Sequence, residues 1–181
     1  MTGTYLPLRS ARTATSKRQG NSFSTLPTRD LVTPRRLDLA VKHRLFSHLR
    51  TGGDAEAVDV YDWHIMKRSG ARMAAGMPTD NWKTTIDHYH AAAAHLLASM
   101  EHNGFWPAHA IPVDLRGELL NGSHRLACAI ALGIDEVPVE RRTEYCWAKP
   151  WNREWFLANG VEPDVLERIE RDWEILNGSD S

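Results

Sequence analysis

Cysteine is nearly absent: the chain has two in 181 residues, Cys128 and Cys146. With no Cys-x-x-Cys spacing they fit a reducing compartment and give no support to a structural zinc site. Long apolar runs are missing too. The longest, around Leu126 to Ile134, is far too short to span a bilayer, which excludes a membrane partner of that kind. No apolar stretch follows the first basic residues, so no secretory signal pattern opens the chain and a cytoplasmic setting is expected. Internal repeats are absent as well. Acidic residues are scarce at the start: the first 50 residues carry 10 Lys and Arg against 2 Asp and Glu, and the remaining 131 carry 12 against 21. The formal net charge of -1 hides this asymmetry. A basic segment on an acidic body suits nucleic-acid contact, or docking of the segment on its own body.

What is present predicts one domain with a tail. Residues 1–32 are rich in Ser, Thr and Arg without an apolar period, and are expected to be a flexible basic arm. Its composition is that of a transit peptide, but no amphipathic stripe supports that use. Residues 33–181 are expected to form the domain. Thr33-Pro34 reads as a helix cap, and Leu37, Val41, Leu45 and Leu49 recur every four residues. The other face of that helix, with Arg35, Arg36, Lys42, Arg44 and Arg50, is expected to be solvated. Residues 54–70 predict a helix or a strand-turn-helix, and 70–82 a loop with Gly70, Gly76, Pro78 and Asn81. A helix capped by Thr84 or Thr85 follows, its stripe of Ile86, Tyr89, Ala93, Leu96, Leu97 and Met100 ending at Asn103-Gly104. Strands are expected over 110–115, 117–122 and 137–142, with a helix from about Ser123 to Leu132 between the last two. Pro163 opens the final helix, in which Leu166, Ile169, Trp173 and Leu176 form a seam for docking or for a homodimer. The fold class expected is α/β or α+β, a small mixed sheet with packed helices.

The chemistry concentrates at "NGSHRLACAIALG", residues 121–133. Gly122 between a strand and a helix permits φ > 0 and close approach of a ligand. The first N–H groups of the helix lack internal partners and carry partial positive charge, which suits a phosphate. Arg125 brings a fork matched to phosphate oxygens, and Ser123 a cap or an anion contact. His124 can donate a hydrogen bond or shuttle a proton. The bland alternative is a plain turn, a plain cap and two solvated side chains. His88, His95 and His102 stand seven apart on one helix face, about 10 Å per step, too far to share a metal. Trp147, Trp151 and Trp155 line a pocket or pack in the core.

The order of elements around this loop, "LLASMEHNG", "IPV", "NGSHRLACAIALG" and "DEVPV", resembles the ParB/sulfiredoxin superfamily over about residues 83–140. In that family a Gly-x-His-Arg loop opens a helix over a small sheet and binds nucleotide phosphates. Sulfiredoxins place a cysteine directly before the His-Arg pair; here that position is Ser123, and Cys128 lies five residues on, so thiol repair chemistry is excluded. Chromosome-partition members bind CTP and read DNA through a downstream region, but residues 151–181 carry 8 acids against 3 bases. Only residues 1–50 sustain that alternative. Free-standing ParB-like kinases, which phosphorylate the hydroxyl of a metabolite such as serine or a sugar, are the branch the chain looks most like. A non-catalytic interaction module is the third alternative.

What the kinase resemblance implies is nucleotide-dependent phosphoryl transfer with ATP or ADP (or CTP) and Mg²⁺. Gly122, Ser123, His124 and Arg125 then cradle the phosphates, and His124 and Arg125 face the transferred group. Lys83 falls where ParB-like proteins place a second basic phosphate contact. The proton acceptor for the substrate hydroxyl is Asp62 or His64, within "VDVYDWHIMKR".

Overall fold

The computed structural model describes residues 24–79, 82–143 and 150–178. Their architecture is mixed α+β. In chain order the elements are β1 (Ser24–Pro27), α1 (Asp38–Thr51), α2 (Glu56–Ala74), α3 (Ile86–Asn103), β2 (Ile111–Val113), α4 (Ser123–Ala131), β3 (Glu136–Arg141), α5 (Arg153–Ala158) and α6 (Pro163–Asn177). The sheet runs β1-β3-β2, with β1 antiparallel and β2 parallel to β3. The parallel pair is joined through α4, so the helix that begins at Ser123 crosses over one face of the sheet.

The predicted boundaries hold best where caps and apolar periods coincide. Thr85 caps α3, its Oγ1 accepting the His88 backbone N–H at 3.3 Å, and Tyr89, Ala93, Leu97 and Met100 are buried. Pro163 starts α6, whose Leu166 and Ile169 are buried while Trp173 and Leu176 are partly covered. That stripe docks against α1. In α4 the small residues Ala127, Cys128 and Ala129 are wholly buried, which lets α1 pack closely on it. Leu39, Val41, Leu45 and Phe46 of α1 fill the space between α4 and α2. Each such burial contributes roughly 1.5–3 kcal/mol.

Several expectations are corrected. From Ser24 onward the basic arm is structured: β1 pairs Ser24 with Val139 and Leu26 with Val137. Residues 1–23 lie outside the described residues, as do Asn81, Cys146 and Trp147. Thr33 does not cap α1. Its hydroxyl donates to Glu118 Oε2 at 3.1 Å, its carbonyl accepts from Arg36 N at 2.8 Å and Trp173 Nε1 at 3.2 Å, and the helix starts later. Leu49, placed in the buried stripe, is 39% exposed. Helix α2 continues through Gly70 to Ala74, with the Met66 side chain lying over that glycine. The strand expected over 117–122 is reduced to a single bridge between Val113 and Leu119. Asp114 bends that segment by accepting the backbone N–H groups of Arg116 and Glu118, both at 2.9 Å.

The supposedly solvated face of α1 is the largest departure. Only Arg35 and Arg50 among its five cations are exposed. Arg36 reaches Asp38 with two prongs, Nε to Oδ1 at 2.7 Å and Nη2 to Oδ2 at 2.9 Å, and Lys42 Nζ donates to the same Oδ2. All three are buried. Arg44 pairs with Asp54, Glu56 and Asp172, and Arg50 donates to the Ala131 carbonyl at the end of α4. Helical spacing places these cations on the polar side of α1, but α2, α4 and α6 cover that side with acceptors.

Candidate functional site

The chain turns into α4 at Gly122, where φ is 91° and ψ is 17°. A side chain there would be strained and crowded, because a Cβ would stand 2.9 Å from Arg125 Nη2 and 3.3 Å from Cζ. The Gly122 N–H donates to Asn121 Oδ1 at 2.6 Å, and its carbonyl accepts Leu126 N at 2.9 Å. Gly122 is thus itself the helix cap. Ser123 makes no capping bond, which corrects the cap expected of it and leaves its hydroxyl beside the opening of the helix.

Arg125 is partly committed. Nη1 donates to the backbone carbonyls of His109 and of Ala110, the latter at 3.1 Å, clasping the segment before β2 to α4. Its other guanidinium nitrogens lie over Gly122. A cleft of about 320 Å³ opens here, lined by Trp82, Lys83, Asn121, Gly122, Ser123, His124 and Arg125. Lys83 and the Gly-Ser-His-Arg loop, 39 residues apart in sequence, therefore share one cavity. Lys83 Nζ stands 4.8 Å over the Tyr89 ring, and Arg68 approaches the same ring at 5.6 Å while donating Nη2 to the Tyr89 hydroxyl at 3.0 Å.

His124 Nε2 hydrogen-bonds the Tyr61 hydroxyl at 2.9 Å. Burial, followed by the charges of Lys42, Lys83 and Arg68, holds its imidazole well below the usual histidine range. The ring is therefore neutral at physiological pH. It is a neutral hydrogen-bonding group rather than a resident cation.

Asp62 and His64 separate. Asp62 Oδ1 meets His90 Nε2 at 2.7 Å, and the Tyr61 ring lies between His90, at 5.7 Å, and His124, at 5.9 Å. A chain of side chains thus runs from the loop through Tyr61 to an aspartate-oriented histidine on α3. His64 is instead wholly buried, with ring centroids 5.6 Å from Trp151, 5.3 Å from Trp155 and 5.7 Å from Phe156. Neither ring nitrogen has a hydrogen-bond partner among the described residues. A group so enclosed does not line the cleft and cannot take a proton from a ligand in it, so His64 is corrected from candidate base to packing residue. Trp151 and Trp155 belong to the same packing.

Cys128 is buried inside α4, and burial pushes its thiol up to about 12, which leaves it inert as a nucleophile. His95 and His102 are exposed, and His88 packs against Trp82 at 5.1 Å. Among the described residues no three His, Cys, Asp or Glu side chains could hold a metal together. A second cleft, of about 330 Å³ between α1 and α6, is lined by Arg44, Asp54, Arg168 and Asp172, among others. Its Arg44 already pairs with Asp54 and Asp172, and Arg168 with Glu56 and Asp164. Tyr61, Arg68, His90 and Lys42 are the site residues that sequence spacing does not reveal. Compared with protein-family models, with curated proteins and with solved structures, the chain matches none.

Proposed function

We propose that the cleft at the start of α4 holds the phosphates of a nucleoside triphosphate and that the protein transfers a phosphoryl group to the hydroxyl of a small metabolite. The observation that carries this is the convergence of Lys83, His124 and Arg125 on one cavity at a helix N-terminus, with Lys42 and Arg68 acting electrically on it. A cavity of that size admits a triphosphate with its metal. Likeness of residues 83–140 to the ParB/sulfiredoxin superfamily points the same way. Lys83 and Arg125 would neutralise charge on the phosphates, Gly122 would let them approach the backbone, and Mg²⁺ would bridge their oxygens when bound. His90, which Asp62 orients, stands across the Tyr61 ring from His124 rather than in the cleft lining, and would receive the hydroxyl proton of an acceptor bound on that side. The nucleic-acid alternative weakens, since Arg36, Lys42 and Arg44, counted in the basic first 50 residues, are buried or paired.

Thermal unfolding of the full chain with Mg²⁺ and ATP, ADP, CTP or GTP tests the binding step. One nucleotide should raise the midpoint, by the equivalent of about 2.7 kcal/mol at a hundred times its dissociation constant. Lys83→Ala should lose most of that shift while unfolding normally without ligand. A folded wild type indifferent to all four nucleotides would show that the cleft is no phosphate site. If binding is found, His90→Ala should abolish transfer of the terminal phosphoryl group while retaining the nucleotide.

A further inference from the structure

Of the tryptophans among the described residues, Trp63, Trp151, Trp155 and Trp173 are partly covered, whereas Trp82 is 57% and Trp106 64% exposed. An indole left in water forgoes the burial that normally accounts for so large an apolar ring. Of the two exposed rings, Trp82 is the one that lines the cleft at the start of α4. It is also held in place. Its ring tilts against His88 at 5.1 Å, with 56° between the planes. His88 is fixed in turn by the segment that opens α3: Nδ1 accepts the Thr84 backbone N–H at 3.2 Å and lies 3.3 Å from the Thr84 hydroxyl. The indole is thus braced by a ring whose own orientation is set at the helix start, while more than half of its surface faces solvent.

A cleft of about 320 Å³ that takes a triphosphate and its metal leaves the rest of a nucleotide at the rim. The other rings and cations of the lining are engaged. His124 meets Tyr61 edge-on, with 81° between the planes, and Arg125 donates to the carbonyls of His109 and Ala110. Lys83 Nζ stands over the Tyr89 ring. Trp82 supplies the broad flat face, one residue before Lys83 in the chain and on the same cavity. A cation for phosphate beside an open aromatic face is the pairing that nucleotide chains exploit, because every base has a π-face to stack. We infer that Trp82 is the stacking platform for the nucleobase of the nucleotide whose phosphates lie against Lys83 and the Gly122 to Arg125 loop. The inference rests on the phosphate reading of that cleft. Stacking requires no hydrogen-bond readout, so Trp82 adds affinity for any base.

The test is isothermal titration of the full chain with Mg·ATP, Mg·GTP and Mg·CTP in turn, and with Mg·tripolyphosphate, which carries the phosphates without a base. Wild type should bind a nucleotide at least about tenfold more tightly than tripolyphosphate. Trp82→Leu should weaken that nucleotide by about tenfold and leave tripolyphosphate unchanged, whereas Trp82→Phe, which keeps a ring, should retain most of the affinity. Indole emission should fall with nucleotide and not with tripolyphosphate, and Trp82→Phe should lose that response. If Trp82→Leu is misfolded by circular dichroism, the emission result decides the matter. Nucleotides that bind no more tightly than tripolyphosphate, or a Trp82→Leu protein that binds its nucleotide as wild type does, overturn the role of Trp82 alone. So does an equal loss of nucleotide and tripolyphosphate. Failure of wild type to bind any of the four ligands overturns the phosphate reading and this inference together.

Discussion

His64 shows what a single side chain can reveal about the balance between packing and polarity. Its ring stacks on Phe156 at an interplanar angle of 10°, and in its fully buried position both nitrogens lack partners among the described residues. An unmet buried polar group costs about 1–3 kcal/mol. We predict that His64→Phe raises the unfolding free energy by about 1 kcal/mol or more in urea titrations. A loss of stability would show that an unseen partner satisfies the imidazole. At Gly122 the prediction runs the other way. Alanine there must adopt a positive φ and meets the Arg125 guanidinium, so Gly122→Ala should cost about 1–3 kcal/mol and remove nucleotide-induced stabilisation. Unchanged urea midpoints with and without nucleotide would contradict both parts. Residue identity made Gly122, Ser123, His124 and Arg125 legible as a possible group, because a phosphate loop needs those residue types, whereas Lys83 entered only through the family resemblance. The burial of Lys42 was not legible, since a lysine on the polar side of an amphipathic stripe reads as solvated. Its covering comes from neighbouring helices, which no local pattern encodes.

At the scale of elements, legibility followed the strength of local signals. Helices α3 and α6 carry a cap or an opening proline together with an apolar period, and both lie where the sequence places them. Strand β1 has no such signal: Ser24 and Thr25 are exposed, and the strand exists because β3 offers it a pairing edge. The turn at Asp114 likewise depends on one carboxylate gathering two backbone N–H groups. The Arg125 clasp belongs to this scale, because it ties the segment before β2 to α4. Arg125→Ala should lower stability by about 1.5–3 kcal/mol, as expected for charged hydrogen bonds to carbonyls. It should also speed amide exchange at residues 109–111. Exchange that stays at the wild-type rate would mean the clasp holds nothing in place.

For the whole molecule, the buried titratable groups set a pH dependence. His64 and His124 both sit well below the usual histidine value in the fold, so below about pH 6.5 the unfolded chain binds more protons than the folded one. Stability is therefore lost as pH falls through that value, and restored as it rises. Burial alone would raise the Asp38 carboxyl, but Arg36 and Lys42 hold it well below the ordinary range, adding a further loss in stronger acid. Unfolding free energies should fall steadily from pH 7.5 to 5, and His64→Phe should flatten that slope. A wild-type profile flat across this range would contradict the neutral state of both rings.

The most direct test of the central claim is amide chemical-shift mapping of the full 20.5 kDa chain during titration with Mg·nucleotide. The account predicts that the largest early shifts fall on Lys83 and on Gly122 through Arg125, with smaller ones at Tyr61 and Lys42. Shifts confined to the cleft between α1 and α6, or none at saturating nucleotide, would contradict it.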